Sequence, residues 1–179
     1  MYEVELKVRA DHGPVRERLA EIGAERLGSV RQEDVYYDAP DRDFARTDEA
    51  LRIRTETAEG TETRLTYKGP LVDDESKTRT EAETAVADPT AMREILDGLG
   101  YEPAATVRKE RARYAVDGCT VTLDAVEGLG AFVEAELEVD DGIDAARHRL
   151  EAVLESLGLD PSDGIRTSYL GLLLADDGS

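Results

Sequence analysis

The chain has 179 residues, enough for one domain with a sizeable core, and its 41 acidic residues give it a formal net charge of -19. So acidic a chain lacks the basic surface that nucleic acid or an anionic membrane requires, so we exclude both as main partners. The single cysteine, Cys119, cannot form an internal disulfide, and no leader-like or membrane-spanning stretch is recognisable, so we expect a cytoplasmic protein.

The first predicted element is a strand, read from the opening run MYEVELKVRA. Residues 2–9 alternate between apolar and charged side chains with the two-residue period of a β-strand. The charged face carries, in order, Glu3, Glu5, Lys7 and Arg9. Two carboxylates followed by two cations are either an ordinary solvated face or part of a site that holds a metal ion beside an anion.

Seven more segments have the alternation typical of strands. We place the eight strands near residues 2–9, 28–37, 50–57, 62–69, 76–86, 105–116, 118–126 and 131–139. Eight strands can close into a barrel that leaves no free edge.

Four helices are predicted around these strands, three of them amphipathic. They are expected at residues 13–23, 88–100, 144–158 and 167–174. Asp88 and Asp144 are the expected N-caps of the second and third helices, and Gly23 is the expected end of the first. We therefore predict one domain over residues 1–175 and a frayed tail over residues 176–179.

The chain has only four lysines, and all of them lie in predicted strands: Lys7, Lys68, Lys77 and Lys109. Each shares its strand face with arginine or glutamate. An ordinary solvated face on so acidic a chain should carry mainly Asp and Glu. The repeated charged faces therefore indicate a shared polar interior, with the apolar faces turned outward against the helices.

A charged interior is stable only if its charges are paired or hold a ligand. Five carboxylates are expected to face this interior: Glu3, Glu5, Asp124, Glu134 and Glu136. Carboxylates on neighbouring strands can form an all-oxygen site for Mg²⁺ or Mn²⁺, and the arginine fork suits phosphate oxygens. A metal-bound linear triphosphate would satisfy both sets of charges.

These residues resemble a known family. The run EVELK is similar to the ExExK signature of the CYTH superfamily, the triphosphate tunnel metalloenzymes, and the resemblance continues through almost the whole chain. The other matching runs are QEDVYYDAP, ALRIR, TYKGP, KTRTEAE, VRKERARY and TLDAVEGLGAFVEAELE. The class IV adenylate cyclase branch is the most similar. The resemblance implies a β-dominated α+β fold: a closed eight-stranded antiparallel barrel, the triphosphate tunnel, with helices packed outside.

The resemblance also implies residue roles. Its metal ligands would be Glu3, Glu5, Asp124, Glu134 and Glu136, which bind Mg²⁺ or Mn²⁺. Its triphosphate ligands would be Lys7, Arg52, Arg54, Lys68, Arg79, Lys109 and Arg111. Glu5, Glu136 and Lys68 are the expected catalytic residues, with Lys68 as a base in a hydrolase if its cationic neighbours lower its pKa.

Three functions stay open on these residues. The leading interpretation is a class IV adenylate cyclase that converts ATP into cyclic AMP and pyrophosphate. The second is a hydrolase of inorganic, nucleoside or thiamine triphosphate. The third is a non-catalytic triphosphate sensor, which would not need the full carboxylate set. No sequence feature indicates an adenine pocket, and a homodimer stays open.

Overall fold

The computed structural model describes residues 1–177, and eight strands form its framework. They are β1 (Tyr2–Arg9), β2 (Glu25–Asp38), β3 (Ala50–Thr57), β4 (Thr61–Lys68), β5 (Lys77–Ala85), β6 (Glu102–Val116), β7 (Cys119–Val126) and β8 (Gly130–Val139). The strands form a closed antiparallel barrel in the order β1-β5-β4-β3-β2-β6-β7-β8. The predicted strands and the predicted barrel are confirmed.

In the described part of the chain, five helices accompany the barrel, together with a short 3-10 turn at Pro161–Asp163. They are α1 (His12–Glu21), α2 (Phe44–Thr47), α3 (Pro89–Gly98), α4 (Ile143–Ser156) and α5 (Tyr169–Asp177). The four predicted helices correspond to α1, α3, α4 and α5. The four-residue α2 and the 3-10 turn were not predicted, because segments this short show no helical periodicity.

The helix ends confirm one predicted N-cap and correct another. The Asp88 side chain accepts a hydrogen bond from the backbone N–H of Ala91 at 3.0 Å, as expected of an N-cap. The prediction for Asp144 was wrong. Gly142 is the N-cap of α4, with φ of 72°, a left-handed conformation that suits glycine. Asp144 lies inside the first turn and accepts a hydrogen bond from Arg147 at 2.8 Å.

The end of the chain was predicted to fray from residue 176. In the structure, residues 176 and 177 belong to α5, and residues 178 and 179 lie outside the described part. No helix among the described residues combines the length and the apolar character that a membrane span requires.

The barrel wall has an apolar outer face and a polar inner face. The main hydrophobic core lies between the outer faces of β1, β7 and β8 and the helices α1 and α4, where Val4, Val121 and Val133 meet Leu19 and Leu150. The inward-facing residues are mainly charged, as the alternation predicted. The hydrophobic effect therefore fixes the wall from outside, and the lumen is left free to bind a polar ligand.

The two ends of the barrel differ in their connections. At one end, which we call the helical mouth, α2 joins β2 to β3, residues 69–76 join β4 to β5, and α5 packs against Val107, Val126 and Phe132. At the other end, the hairpin mouth, short turns join β3 to β4 and β6 to β7. The lumen between the mouths holds the candidate site.

Candidate functional site

A cavity of about 680 Å³ occupies the lumen and extends to both mouths. Ten of the predicted site residues line it: Glu3, Glu5, Arg52, Arg54, Lys68, Arg79, Lys109, Arg111, Glu134 and Glu136. Two predicted site residues, Lys7 and Asp124, do not line it. Seven of the eight strands contribute residues to this lining, so the closed barrel is what brings these distant segments together.

Three carboxylates form the candidate metal centre. Oxygens of Glu3, Glu5 and Glu136 all lie within 4.8 Å of one another. The cluster arises because β1 pairs with β8 in a register that places Glu5 opposite Glu136, while Glu3 follows two residues away on the same face. An all-carboxylate set of this kind fits Mg²⁺ or Mn²⁺.

The electrostatics of Glu136 support this fit. Among the described residues, Glu136 has no hydrogen bond and no cation at ion-pair distance. Burial, with Glu3, Glu134 and Glu5 adding to it, raises the pKa of its carboxyl to about 7, although Arg111 acts in the opposite direction. A partly buried carboxyl group beside two others is an unfavourable arrangement that a divalent cation would relieve.

The other two members of the cluster are paired with lysines. Lys68 Nζ donates to the two oxygens of Glu3 at 2.8 and 3.1 Å, and Lys77 Nζ donates to Glu5 at 3.2 Å. Burial would raise the pKa of Glu3, but Lys68 and further cations outweigh burial and hold it well below its usual range. Burial and the hydrogen bond to Glu3 raise the pKa of Glu81 to about 7.

Two arginines are locked by buried carboxylates. Arg54 donates from Nε and Nη2 to Asp34 at 2.6 and 2.7 Å, and Arg111 donates from the same two atoms to Asp124 at 2.7 and 2.5 Å. Arg111 Nη2 also donates to Glu134 at 2.5 Å. These forks use only one edge of each guanidinium, so Nη1 is left to bind another anion.

The arrangement separates the five predicted metal ligands into two groups. Asp124 and Glu134 are ion-pair partners of Arg111 and lie outside the three-carboxylate cluster. That these two residues bind a metal stays a prediction. The geometry shows that both carboxylates hold the guanidinium of Arg111 in place.

Sequence reasoning missed Asp34, a central residue of the lumen. Its carboxylate is 1% exposed and lies 3.6 Å from Arg52 and 4.0 Å from Lys109, in addition to the fork with Arg54. These cations outweigh the effect of burial and hold its pKa well below its usual range. The signal was present, because Asp34 shares a strand face with Gln32 and Tyr36 and lies within the matching run QEDVYYDAP.

Tyr169 of α5, also missed, separates Lys7 and Asp124 from the cavity. Its hydroxyl donates to Asp124 at 2.8 Å, and its ring centroid lies 4.2 Å from Lys7 Nζ. The ring packs edge-on against Phe132, with centroids 5.0 Å apart. Lys7 is 1% exposed as a result. No local pattern in the sequence indicates that this tyrosine enters the barrel.

The lysines of the lumen differ in their pKa. Burial and repulsion from the nearby Arg111 and Arg54 lower the pKa of Lys109 to about 7. Burial and repulsion from Lys77 lower the pKa of Lys7 to about 8. Lys68 behaves in the opposite way. Burial would lower its pKa, but Glu3 and Glu81 outweigh burial and raise it. The condition set for Lys68 as a base, a lowered pKa, is therefore not met.

Arg79 lies towards the helical mouth. It is 5% exposed, and its guanidinium donates to the backbone carbonyl of Asp48 at 3.2 Å, just after α2. The Asp48 carboxylate lies 3.5 Å away. Arg79 thus connects the charged lumen to the short helix at its rim.

A closed eight-stranded antiparallel barrel with a carboxylate cluster and fixed cations in its lumen places the protein among the tunnel-fold proteins. The CYTH domain model matches residues 1–169, and the chain belongs to the CYTH family. The enzymes of this tunnel family depend on metal ions in general.

Relatives cover nearly the full chain. MJ0240 of Methanocaldococcus jannaschii, provisionally named an adenylate cyclase, is 39% identical over 175 residues, which are 96% of this chain and 98% of that protein. The adenylate cyclase CyaB of Aeromonas hydrophila is 31% identical over 172 residues, 94% of this chain and 86% of that protein.

Solved structures share the fold. The PH1819 protein of Pyrococcus horikoshii OT3 is 44% identical with a TM-score of 0.91, covering 97% of this chain and 99% of that one. HpAC1 of Hippeastrum, described by a dominant triphosphatase activity, is 21% identical with a TM-score of 0.70 and covers 98% and 95% of the two chains. The second likeness concerns the fold alone.

Proposed function

We propose that the protein is a metal-dependent class IV adenylate cyclase that converts ATP into cyclic AMP and pyrophosphate. The observation that carries the proposal is the presence, in one cavity, of the three-carboxylate cluster and of cations oriented by buried carboxylates. The identity to cyclase-named proteins over nearly the whole chain supports the same reaction. A cytoplasmic location and a homodimer stay predictions.

In this reaction the 3′-hydroxyl oxygen of ATP attacks the α-phosphorus, the bond from that phosphorus to the oxygen shared with the β-phosphorus breaks, pyrophosphate leaves, and the hydroxyl proton is released to water. Glu3, Glu5 and Glu136 would hold Mg²⁺ or Mn²⁺, which supplies Lewis-acid stabilisation of charge on the reacting oxygens. The protein's own contribution is to position the triphosphate and to neutralise the charge that develops on the leaving group.

Arg54 and Arg111 are suited to hold the leaving pyrophosphate. Their forks with Asp34 and Asp124 fix each guanidinium before the substrate arrives, so little reorganisation is needed when charge develops. Lys109 lies beside both arginines and gains its proton fully once phosphate oxygens are near. These residues act by binding and charge neutralisation.

Hydrolysis of a triphosphate is the second candidate, because water in place of the 3′-hydroxyl would need the same residues. HpAC1, which shares the fold, is described by a dominant triphosphatase activity, and this favours retaining the candidate. A non-catalytic sensor is the third candidate. The complete carboxylate cluster argues against it, because binding a triphosphate requires the cations rather than a metal centre.

The proposal is tested by incubating the purified protein with ATP or with inorganic triphosphate, in Mg²⁺ or Mn²⁺, and resolving the products by chromatography. We expect cyclic AMP and pyrophosphate in equal amounts from ATP. Phosphate release without cyclic AMP would contradict the cyclase proposal and would favour the triphosphate hydrolase. Tight binding of both ligands without any product would favour the sensor.

A further inference from the structure

The four lysines of the chain have different surroundings inside the barrel. Lys68 and Lys77 line the cavity, and both donate hydrogen bonds to glutamates. Lys7 is 1% exposed and does not line the cavity. Lys109 lines the cavity and makes no hydrogen bond to any residue in the described part of the chain. The amine of Lys109 is therefore open to the lumen and free of a hydrogen-bond partner there.

The groups around Lys109 are mainly charged. The nearest carboxylate oxygen to its Nζ belongs to Asp34 and lies 4.0 Å away, beyond hydrogen-bond distance. The charged and titratable groups that face it are Asp34 of β2, Arg54 of β3, Arg111 of β6, Asp124 of β7, Glu134 of β8 and Tyr169 of α5. Burial and repulsion from the two arginines lower the pKa of Lys109 to about 7. A large fraction of its amine is therefore uncharged at neutral pH.

The cavity thus places a nucleophile beside an anion site. An uncharged lysine amine next to other cations is a typical nucleophile in proteins. Arg54 and Arg111 donate to their carboxylate partners from Nε and Nη2, so the Nη1 of each can still bind a phosphate oxygen. A small molecule that carries both a phosphate and an electrophilic carbon would use both features at once.

We propose that Lys109 is a site of covalent acylation by acyl phosphates, in which an acyl group is joined to phosphate as a mixed anhydride. The phosphate binds Arg54 and Arg111, and the Lys109 nitrogen attacks the acyl carbon. A bond forms between the nitrogen and that carbon, the bond from the carbon to the bridging oxygen breaks, and phosphate leaves with the electron pair. The nitrogen then loses a proton to water, and the product is a neutral amide.

Acylation at Lys109 would weaken the binding of triphosphate. An amide has no positive charge, so it cannot donate a charge-assisted hydrogen bond to a phosphate oxygen. The supply of acyl phosphates would then control how much of the protein can bind its substrate. The inference goes beyond the proposed function, because it needs the cavity and its cations but not the cyclase reaction.

The first test treats the protein with acetyl phosphate at pH 8 and locates the acetylated amines by peptide mass spectrometry. The chain has only four lysines and the α-amine of Met1, which is on the surface, so every amine can be followed. We expect Lys109 to react about 10-fold or more faster than Lys68 and Lys77, because its amine is largely uncharged and makes no hydrogen bond. Similar rates at these three lysines would overturn the proposal.

A second reagent separates recognition of the phosphate from simple reactivity. Acetic anhydride transfers the same acetyl group but carries no phosphate. The ratio of acetylation at Lys109 to acetylation at the Met1 α-amine should be about 10-fold higher with acetyl phosphate, since Arg54 and Arg111 concentrate only the anionic reagent. Equal ratios with the two reagents would show only an accessible amine and would overturn the acyl phosphate site.

Lys109→Arg is the matched control for the effect on binding. Arginine keeps the positive charge, and because it stays protonated it is not acetylated. After treatment with acetyl phosphate, the unmodified chain should bind inorganic triphosphate about 10-fold or more weakly, as the loss of one charge-assisted contact implies. The treated Lys109→Arg protein should bind it as well as before treatment. Equal losses in both proteins would place the effect at another amine and contradict the proposal.

Saturating inorganic triphosphate should slow the acetylation of Lys109 about 10-fold or more, because it occupies the arginines and favours the protonated amine. The Met1 α-amine should react as before. An unchanged rate at Lys109 with bound triphosphate would overturn the site. If the protein does not bind inorganic triphosphate, the proposed function fails, while the two acetylating reagents still decide the acylation site. If it binds inorganic triphosphate but acetyl phosphate does not modify Lys109, this inference fails alone.

Discussion

The carboxyl group of Glu136 lies inside the barrel beside Glu3 and Glu5, without a cation at ion-pair distance among the described residues. Glu136→Gln should abolish turnover, because it removes one hard anionic ligand while keeping the side-chain shape. The fold should be retained. The measurement is product formation from ATP in Mg²⁺ and in Mn²⁺, with circular dichroism to verify folding.

Glu138→Gln provides the control for that experiment. Glu138 lies two residues further along β8 and lines the same cavity, but it is not part of the three-carboxylate cluster. The Glu138→Gln variant should therefore keep most of the activity of the unmodified protein. Equal losses in the two variants, or full activity of Glu136→Gln, would contradict the assignment of the metal centre.

The same substitution should stabilise the metal-free protein at high pH. The folded pKa of Glu136 is about 7, above the usual 4.5, so the folded state retains a proton that the unfolded state has lost. The protonated carboxyl group of Glu136 therefore makes its full contribution to stability below pH 4.5, and this contribution is lost as the pH rises through about 7. In EDTA at pH 8, Glu136→Gln should raise the free energy of unfolding by up to about 3 kcal/mol, and at pH 4.5 by little. Urea denaturation measures this difference, and an equal effect at both pH values would contradict it.

Lys109 should take up a proton when a triphosphate binds. Its pKa is about 7 in the free protein, so it is mostly uncharged at pH 8, and phosphate oxygens will raise that pKa. Calorimetric titration at pH 8 in buffers of different ionisation enthalpy should show an uptake approaching one proton more than in Lys109→Arg, whose side chain is always charged. Lys7 has a pKa of about 8 and contributes to both proteins, so the difference isolates Lys109. Equal proton uptake in both would contradict the prediction.

Which residues of each strand face inward could be predicted, because this depends only on the alternation of apolar and polar side chains. Ten of the twelve predicted site residues accordingly line the cavity. The pairing of those residues could not be predicted, because it depends on register. Arg54 pairs with Asp34 because β3 lies beside β2, and Lys68 reaches Glu3 across β5. Register also explains why the pKa of Lys68 is raised, although the sequence places cations near it.

At the scale of elements, α5 closes part of the helical mouth by inserting one side chain. The hydroxyl of Tyr169 stays a hydrogen-bond donor to Asp124, because burial raises its pKa and the nearby carboxylates add to the effect. Tyr169→Phe should lower the free energy of unfolding by about 1–2 kcal/mol, since Asp124 keeps Arg111 but loses one bond. Tyr169→Ala should lower it by about 3–5 kcal/mol, since packing on Phe132 is lost as well.

Urea denaturation of both variants tests the prediction, with Tyr101→Phe as the control. Tyr101 packs outside the barrel against the cluster formed with α3. Tyr101→Phe should lower the free energy of unfolding much less than Tyr169→Phe does. Similar costs for Tyr101→Phe and Tyr169→Phe would contradict the role given to the hydroxyl inside the barrel.

The elements themselves were largely predictable, and the exceptions have physical causes. The strands and the longer helices can be predicted from the spacing of their apolar residues and from N-cap residues such as Asp88. Tyr169 was placed in a helix correctly, but its insertion into the barrel depends on the path of residues 157–168 around α4. The short α2 is held by the Asp43 side chain, which accepts from two backbone N–H groups, and its position at the mouth follows from barrel closure.

At the scale of the whole molecule, charge is distributed unevenly. The net charge is -19, and the lysines and arginines inside the barrel are matched by carboxylates there, so nearly all of the net negative charge lies on the outer surface. The lumen is stabilised by close ion pairs that salt screens weakly. The exterior carries mutual repulsion between carboxylates, which salt screens well.

The unfolding temperature should therefore rise with salt. Between about 0.02 and 1 M KCl the Debye length falls from roughly 20 Å to about 3 Å, which removes most of the surface repulsion. We expect an increase of roughly 5 °C, corresponding to about 1–2 kcal/mol for a chain of this size. The triple variant Glu17→Gln, Glu94→Gln and Glu155→Gln alters exposed positions on α1, α3 and α4, so it should show a smaller increase. Differential scanning calorimetry of both proteins measures the effect. An unfolding temperature that stays constant or falls with KCl would show that attraction, and not repulsion, dominates the surface.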